Sequence, residues 1–132
     1  MKIGVKQLVE QAETEIETLT VAEAQARHGD ADVQFVDLRD VRELYREGKV
    51  PGAYNAPRGM LEFWVDPDSP YHKELFAADK TFVFYCQSGW RSALATQTVQ
   101  RMGMQKVCHI GGGYRAWKDS GAPTEDVEPK QR

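Results

Sequence analysis

Apolar residues recur at Val5, Leu8, Val9, Ala12 and Ile16, at i, i+3, i+4, i+7 and i+11, the stripe of an amphipathic helix. Thr20-Val21-Ala22-Glu23 is a capping box opening a second helix, which Gly29 closes. The period then changes. Val33 to Asp37 is β-branched and aromatic, a buried strand, and Asp40-Val41-Arg42-Glu43 caps a short helix that stops at Gly48. In Val50-Pro51-Gly52-Ala53 the proline presets φ and the glycine supplies a positive one, so the segment reads as a turn.

Between Arg58 and Asp79 no clean period survives; Leu61 to Val65 is an apolar knot, and His72 to Phe76 reads as a short helix. Thr81 to Tyr85 is the strongest strand in the chain. Ala95, Val99 and Met102 mark a helix running to Gly103, and Lys106 to Ile110 is a further short strand. Gly111-Gly112-Gly113 leads into a final helix over Tyr114 to Lys118 and lacks the spacing of a phosphate-binding loop. Strands alternating with helices predict an α/β domain with a largely parallel central sheet flanked by helices. Residues 1–18 are expected to form an N-terminal amphipathic extension, 19–123 the domain proper and 124–132 a polar tail. The first helix offers an apolar stripe to a partner, to a second copy or to its own sheet.

With 132 residues the chain holds one core and is too short for two. Seventeen Lys and Arg against 20 Asp and Glu leave a net charge of −3, which excludes the basic surplus that nucleic-acid binding requires. The longest apolar runs, such as Thr81 to Cys86, fall well short of the ~20 residues of a membrane span. The charged, amphipathic amino terminus shows no apolar h-region or small-residue cleavage site, so no export signal is expected. Cys86 and Cys108 show no CxxC or paired metal spacing, so neither a disulfide framework nor a metal site is expected, and cytoplasm with reduced thiols is the default setting.

The candidate chemistry lies in Phe82-Val83-Phe84-Tyr85-Cys86-Gln87-Ser88-Gly89-Trp90-Arg91-Ser92. A hydrophobic strand delivers Cys86 to its carboxyl end, where open α/β sheets place ligands. A short turn and a helix amino terminus follow, so backbone N–H groups converge there as an anion-binding nest. A cysteine so placed is expected to have a depressed pKa and to react as the thiolate. Gly89 permits the curl, and Arg91 supplies a cation suited to an oxyanion. Cys108, inside a strand, reads as ordinary packing.

Cys86-Gln87-Ser88-Gly89-Trp90-Arg91-Ser92 resembles the C-x-x-G-x-R-[ST] active-site loop of the single-domain rhodaneses, the thiosulfate sulfurtransferases. Asp37-Leu38-Arg39-Asp40 with Glu43 and Tyr45, then Gly48-Lys49-Val50-Pro51-Gly52-Ala53 and Asn55, is similar to the family's D-x-R-[DE]-x-x-E-[FY] and G-H-I-P-G-A segments. Val107 to Ile110, Gly111-Gly112 and Trp117 resemble its V-x-x-L-x-G-G-x-x-x-W ending. The resemblance implies a three-layer rhodanese-like domain in which Cys86 carries a persulfide, taking a sulfane sulfur from thiosulfate and passing it to a thiol or cyanide. It implies no metal or organic cofactor. The backbone of Gln87, Ser88, Gly89, Trp90, Arg91 and Ser92 would cradle the terminal sulfur, Arg91 would help hold the anion, and Asp37 and Arg39 would brace the site.

Lys49 and Val50 depart from the family's His and Ile, at a turn remote in sequence from the loop. Arg58 is a candidate second cation, with a solvated surface arginine as the plainer reading; Trp64 is expected to roof either the site or the core. Trp90 is expected to face outward, either shaping the pocket mouth or simply packing on a neighbour. His28, His72 and His109 are scattered and expected to be non-catalytic, with His72 the nearest to an exception. Three rival functions remain beside the free enzyme. A persulfide relay to a partner protein needs the same loop. A phosphatase or arsenate reductase favours Cys-x5-Arg, one residue longer than Cys86 to Arg91, with a His before the cysteine where this chain has Tyr85. A non-catalytic binding module would not need Cys86, Gly89 and Arg91 together.

Overall fold

The computed structural model describes residues 1–130. The helices are α1 (Val5–Glu15), α2 (Val21–Arg27), α3 (Val41–Glu47), α4 (Leu61–Val65), α5 (Trp90–Arg101) and α6 (Gly113–Asp119). The strands are β1 (Thr18–Leu19), β2 (Val33–Asp37), β3 (Tyr54–Asn55), β4 (Thr81–Tyr85) and β5 (Val107–Ile110). They form one sheet in the order β1-β5-β4-β2-β3, and every pairing is parallel. The expected α/β architecture is the one observed, with helices on both faces.

Side-chain alternation along β4 separates the two layers. Val83 and Tyr85 join Leu19, Ala24, Phe35, Ile110, Tyr114 and Trp117 on the α2 and α6 side. Phe82 and Phe84 join Val36, Leu61, Val65, Ala95 and Val99 on the α4 and α5 side. A parallel sheet covered on both faces must have strands apolar throughout, which is why β4 reads as an unbroken run rather than an alternating one. Helix α1 packs Val9 and Ala12 against Ala93 of α5. Its Val5 and Leu8 are exposed. No helix among the described residues is long and apolar enough to cross a membrane.

Both capping boxes form: Thr20 with Glu23, and Asp40 with Glu43. The sequence pattern missed β1 and β3, two residues each and too short to carry a period. It also missed α4 and the 3₁₀ turn Arg58–Met60 before it, and it expected a helix over His72–Phe76 where a 3₁₀ turn covers Glu74–Ala77. The last two positions of the expected polar tail lie outside the described residues. Within the tail, Glu125 pairs with Lys49 in an isolated antiparallel bridge.

At the carboxyl end of β2, Asp37 and Arg39 form an ion pair in which neither side chain is exposed. Arg39 Nε donates to Asp37 Oδ1 at 3.0 Å and Nη2 donates to Oδ2 at 2.7 Å. The same Nη2 donates to the Gly48 carbonyl at 2.7 Å, and the guanidinium carbon lies 4.2 Å from the Tyr114 ring centroid. Removing one partner of a buried pair strands the other charge. Arg39→Ala is therefore expected to cost about 3–5 kcal/mol, read as a fall in the urea midpoint. Arg42→Ala, whose pair with Asp40 is solvent-exposed, should leave that midpoint nearly unchanged; equal effects of the two substitutions would show that Asp37 finds another partner.

Candidate active site

Strand β4 ends at Tyr85, and the next residue, Cys86, is 1% exposed. From Cys86 the chain turns through Gln87 and Ser88 to Gly89, whose φ of +107° caps the start of α5. That conformation is open to glycine and rarely adopted by side-chain-bearing residues. The turn aims Gly89 N–H at Cys86 Sγ from 3.2 Å, and the first turn of α5 aims Ser92 N–H at it from 3.4 Å. Ser92 Oγ lies 3.6 Å from the same sulfur. The N-terminal end of the twelve-residue α5 thus directs two backbone N–H groups and the positive pole of a helix at one sulfur atom.

The floor of the loop is α6. Tyr114 N–H donates to the Cys86 carbonyl at 2.8 Å and Arg115 N–H to the Gln87 carbonyl at 3.1 Å. Gly113 has φ +62°, and a Cβ there would stand 2.5 Å from the Cys86 carbonyl oxygen and 2.7 Å from the Gln87 carbonyl. The third glycine of Gly111-Gly112-Gly113 serves this close approach of two backbones.

Arg91, the cation expected at the loop's end, is paired. Its guanidinium makes two hydrogen bonds to Glu43, at 2.9 and 3.0 Å. These bonds hold the Glu43 carboxyl below its ordinary pKa and raise that of Arg91. Glu43 also completes the capping box of α3, accepting from Asp40 N–H at 3.0 Å. The loop is thereby tied to α3 by a side chain that the sequence marked as a cap and as part of the family-like segment, without a link to Arg91.

Gln87 accepts from Arg39 Nη1 at 3.2 Å, which joins the buried Asp37–Arg39 pair to the loop. Asn55 donates to the carbonyls of Asp37 and Arg39 and fixes the β2 end. Ser88 and Trp90 face solvent. Arg58 is engaged elsewhere: Nη1 donates to Glu62 at 2.6 Å, and no hydrogen bond among the described residues joins it to the loop. Trp64 packs with Tyr54 and beneath Lys73, in the layer behind the sheet rather than on the loop. His72 bonds the Trp64 carbonyl. A groove of about 420 Å³ lined by Val65, Phe76, Met102 and Met104 lies at the far end of α5 from Cys86 and carries no nucleophile.

His109, expected to be non-catalytic, packs against Ser92 at the start of α5. The ring is 2% exposed, with Nδ1 2.9 Å from Ser92 Oγ and Nε2 3.0 Å from Thr18 Oγ1. The available signal was a polar residue inside a fully buried strand, which must find partners for both ring nitrogens. Cys108, its neighbour, points into the opposite layer, where burial pushes its thiol up to about 11. Among the described residues no cluster of His, Cys, Asp and Glu could hold a metal ion.

Comparisons with known proteins bear on this geometry. The family model described as Rhodanese-like domain matches residues 20–120. A solved structure from Rhodopseudomonas palustris, described as a protein of unknown function and possible tyrosine phosphatase, superposes with a TM-score of 0.92. It is 54% identical and covers 95% of this chain and 96% of its own. Thiosulfate sulfurtransferase 18 of Arabidopsis thaliana is 37% identical over 109 residues, 73% of this chain and 76% of the relative. An uncharacterized Synechocystis protein is also 37% identical, over 100 residues; the match takes in 76% of this chain but spans only half the length of that relative.

Burial lowers the His109 pKa from 6.5 to about 4. The unfolded chain therefore binds a proton between those values that the folded chain refuses, and stability falls as pH drops through that window. The full loss amounts to about 3 kcal/mol below pH 4. Urea unfolding at pH 7 and at pH 4.5 checks this: His109→Asn should lose less stability between the two than the wild type, and equal losses would place the acid sensitivity on carboxylates instead.

Proposed function

The chain belongs to the rhodanese-like domain family, and from that premise we propose that it is a sulfurtransferase that carries sulfane sulfur as a persulfide on Cys86, with thiosulfate as donor. The observation that carries this reading is the pair of backbone N–H groups, from Gly89 and Ser92, converging on a buried cysteine sulfur in a loop of four residues between Cys86 and Arg91.

In the first half-reaction the Cys86 thiolate attacks the outer sulfur of thiosulfate. The sulfur–sulfur bond of the donor breaks, its electron pair leaves with sulfite, and a new bond joins Cys86 Sγ to the transferred sulfur. The N–H groups of the loop balance the negative charge on the terminal sulfur without having to reorganise. In the second half-reaction an acceptor thiolate, or cyanide, attacks that terminal sulfur and Cys86 leaves as the thiolate. The acceptor is a small thiol or a thiol of a partner protein; both use the same loop. One covalent intermediate shared by two half-reactions predicts ping-pong kinetics.

The description of the Rhodopseudomonas protein as a possible tyrosine phosphatase brings in a second reading, phosphoester hydrolysis. Two features weigh against it here. Ser92 occupies the position where a Cys-x5-Arg loop places its arginine, and the arginine that is present, Arg91, is committed to Glu43. A tetrahedral oxyanion also needs a wider ring of donors than a single sulfur does.

Intact-protein mass after incubation with thiosulfate tests the assignment. One added sulfur is expected on the wild type and none on Cys86→Ala, with cyanide removing it as thiocyanate. A folded, reduced wild type that takes up no sulfur from thiosulfate but hydrolyses an aryl phosphate in a Cys86-dependent manner would overturn it in favour of the second reading.

A further inference from the structure

We propose that Ser92, His109 and Thr18 form a hydrogen-bonded chain that conducts the Cys86 thiol proton to the protein surface and leaves the Ser92 hydroxyl donating to the thiolate. The proposal rests on the reading of Cys86 as nucleophile, and it assigns positioning roles to His109 and Thr18, neither of which touches the sulfur.

Four groups lie in sequence at contact distances: Cys86 Sγ to Ser92 Oγ at 3.6 Å, Ser92 Oγ to His109 Nδ1 at 2.9 Å, and His109 Nε2 to Thr18 Oγ1 at 3.0 Å. Cys86, Ser92 and His109 are buried, whereas Thr18, on the edge strand β1, is exposed. A neutral imidazole carries one proton on two nitrogens, so it donates at one end and accepts at the other. Its tautomer therefore sets whether the Ser92 hydroxyl donates to His109 or is released toward the sulfur, with the Gly89 carbonyl at 3.3 Å as the competing acceptor.

With the thiol protonated, S–H donates to Ser92 Oγ, Ser92 O–H to His109 Nδ1, His109 Nε2–H to Thr18 Oγ1, and Thr18 O–H to water. Ionisation shifts each proton one step along. The thiol proton passes to Ser92, the Ser92 proton to Nδ1, the Nε2 proton to Thr18, and the Thr18 proton to solvent. One proton leaves, no imidazolium forms, and every donor now points back toward the sulfur. The thiolate then receives the Ser92 hydroxyl in addition to the N–H groups of Gly89 and Ser92. Burial, which disfavours a charged His109, favours this neutral exchange of tautomers.

The charged groups around the chain are fixed in pairs. Arg91 with Glu43 and the buried Arg39 with Asp37 stand on the Cys86 side, and Glu17 with Arg27 on the Thr18 side, where the Glu17 carbonyl accepts from His109 N–H. Cys108, adjacent in β5, turns its thiol to the Phe82 carbonyl in the other layer.

The test is the rate of Cys86 alkylation by iodoacetamide against pH, followed on the Cys86 peptide by mass. His109→Leu is expected to move the midpoint up by about one pH unit, roughly tenfold in rate at pH 7. Because the effect runs through the Ser92 hydroxyl, the same substitution should shift nothing further in a Ser92→Ala background, a non-additivity that a purely structural role would not produce. Thr18→Val, at an exposed position, is expected to raise the midpoint by a smaller amount and serves if His109→Leu does not fold. An unshifted profile for Thr18→Val and His109→Leu, or an equal His109→Leu shift in both backgrounds, would overturn the proposal. Alkylation requires no sulfur donor, so a wild type that takes sulfur from thiosulfate yet shows an unshifted variant profile refutes the chain and keeps the sulfurtransferase, and the converse result separates them the other way.

Discussion

An arginine sealed from water must find an acceptor for its N–H groups, and Arg39 finds them on segments far apart in sequence. Asp37 ends β2, the Gly48 carbonyl ends α3, and Gln87 lies in the cysteine loop. The cation also rests on the Tyr114 ring of α6. A buried charge tolerates little displacement, because each broken contact exposes an unsatisfied group to a low dielectric. The pair therefore registers β2, α3, the loop and α6 against one another. The donors around Cys86 are held before any substrate arrives because the frame that carries them is held here.

The division of labour between the two arginines follows. Arg39 is wholly buried and structural, whereas Arg91 is partly exposed at the loop mouth and neutralised by Glu43. With its cation paired and the whole chain at −3, the site offers a proposed anionic donor short-range N–H contacts and the α5 dipole rather than a long-range positive field. On the proposed function, such a site would favour small anions within reach of those N–H groups and gain little from electrostatic steering over distance.

What was legible in the sequence was local. The strand–cysteine–glycine–helix run shows its geometry in a few residues, and both capping boxes span four, so β4, α5, α2 and α3 could be read directly. Strands β1 and β3 are held by pairing with β5 and β2 alone, and a two-residue strand has no period to detect. The tie between Glu43 and Arg91 joins residues 48 positions apart, and that between Ser92 and His109 joins residues 17 apart. Topology, not spacing, brings them together: β5 lies beside β4 in register, which carries His109 alongside Phe84 and beneath the start of α5. Arg58 shows the reverse case: of its two readings, a second cation or a surface arginine, the pair with Glu62 four positions on favours the plainer one.

The floor beneath the loop, where Gly113 brings α6 against the carbonyls of Cys86 and Gln87, limits how this architecture can be diversified. Backbone there already meets backbone, so no side chain can be added from below and no residue can be inserted inward. Growth of the cysteine loop, whether by natural variation or by engineering, has the outward direction open to it, through Ser88 and Trp90, which already face solvent. A lineage or a designer seeking room for a larger group would have to lengthen the loop at its crest, and in doing so would draw Arg91 out of register with Glu43.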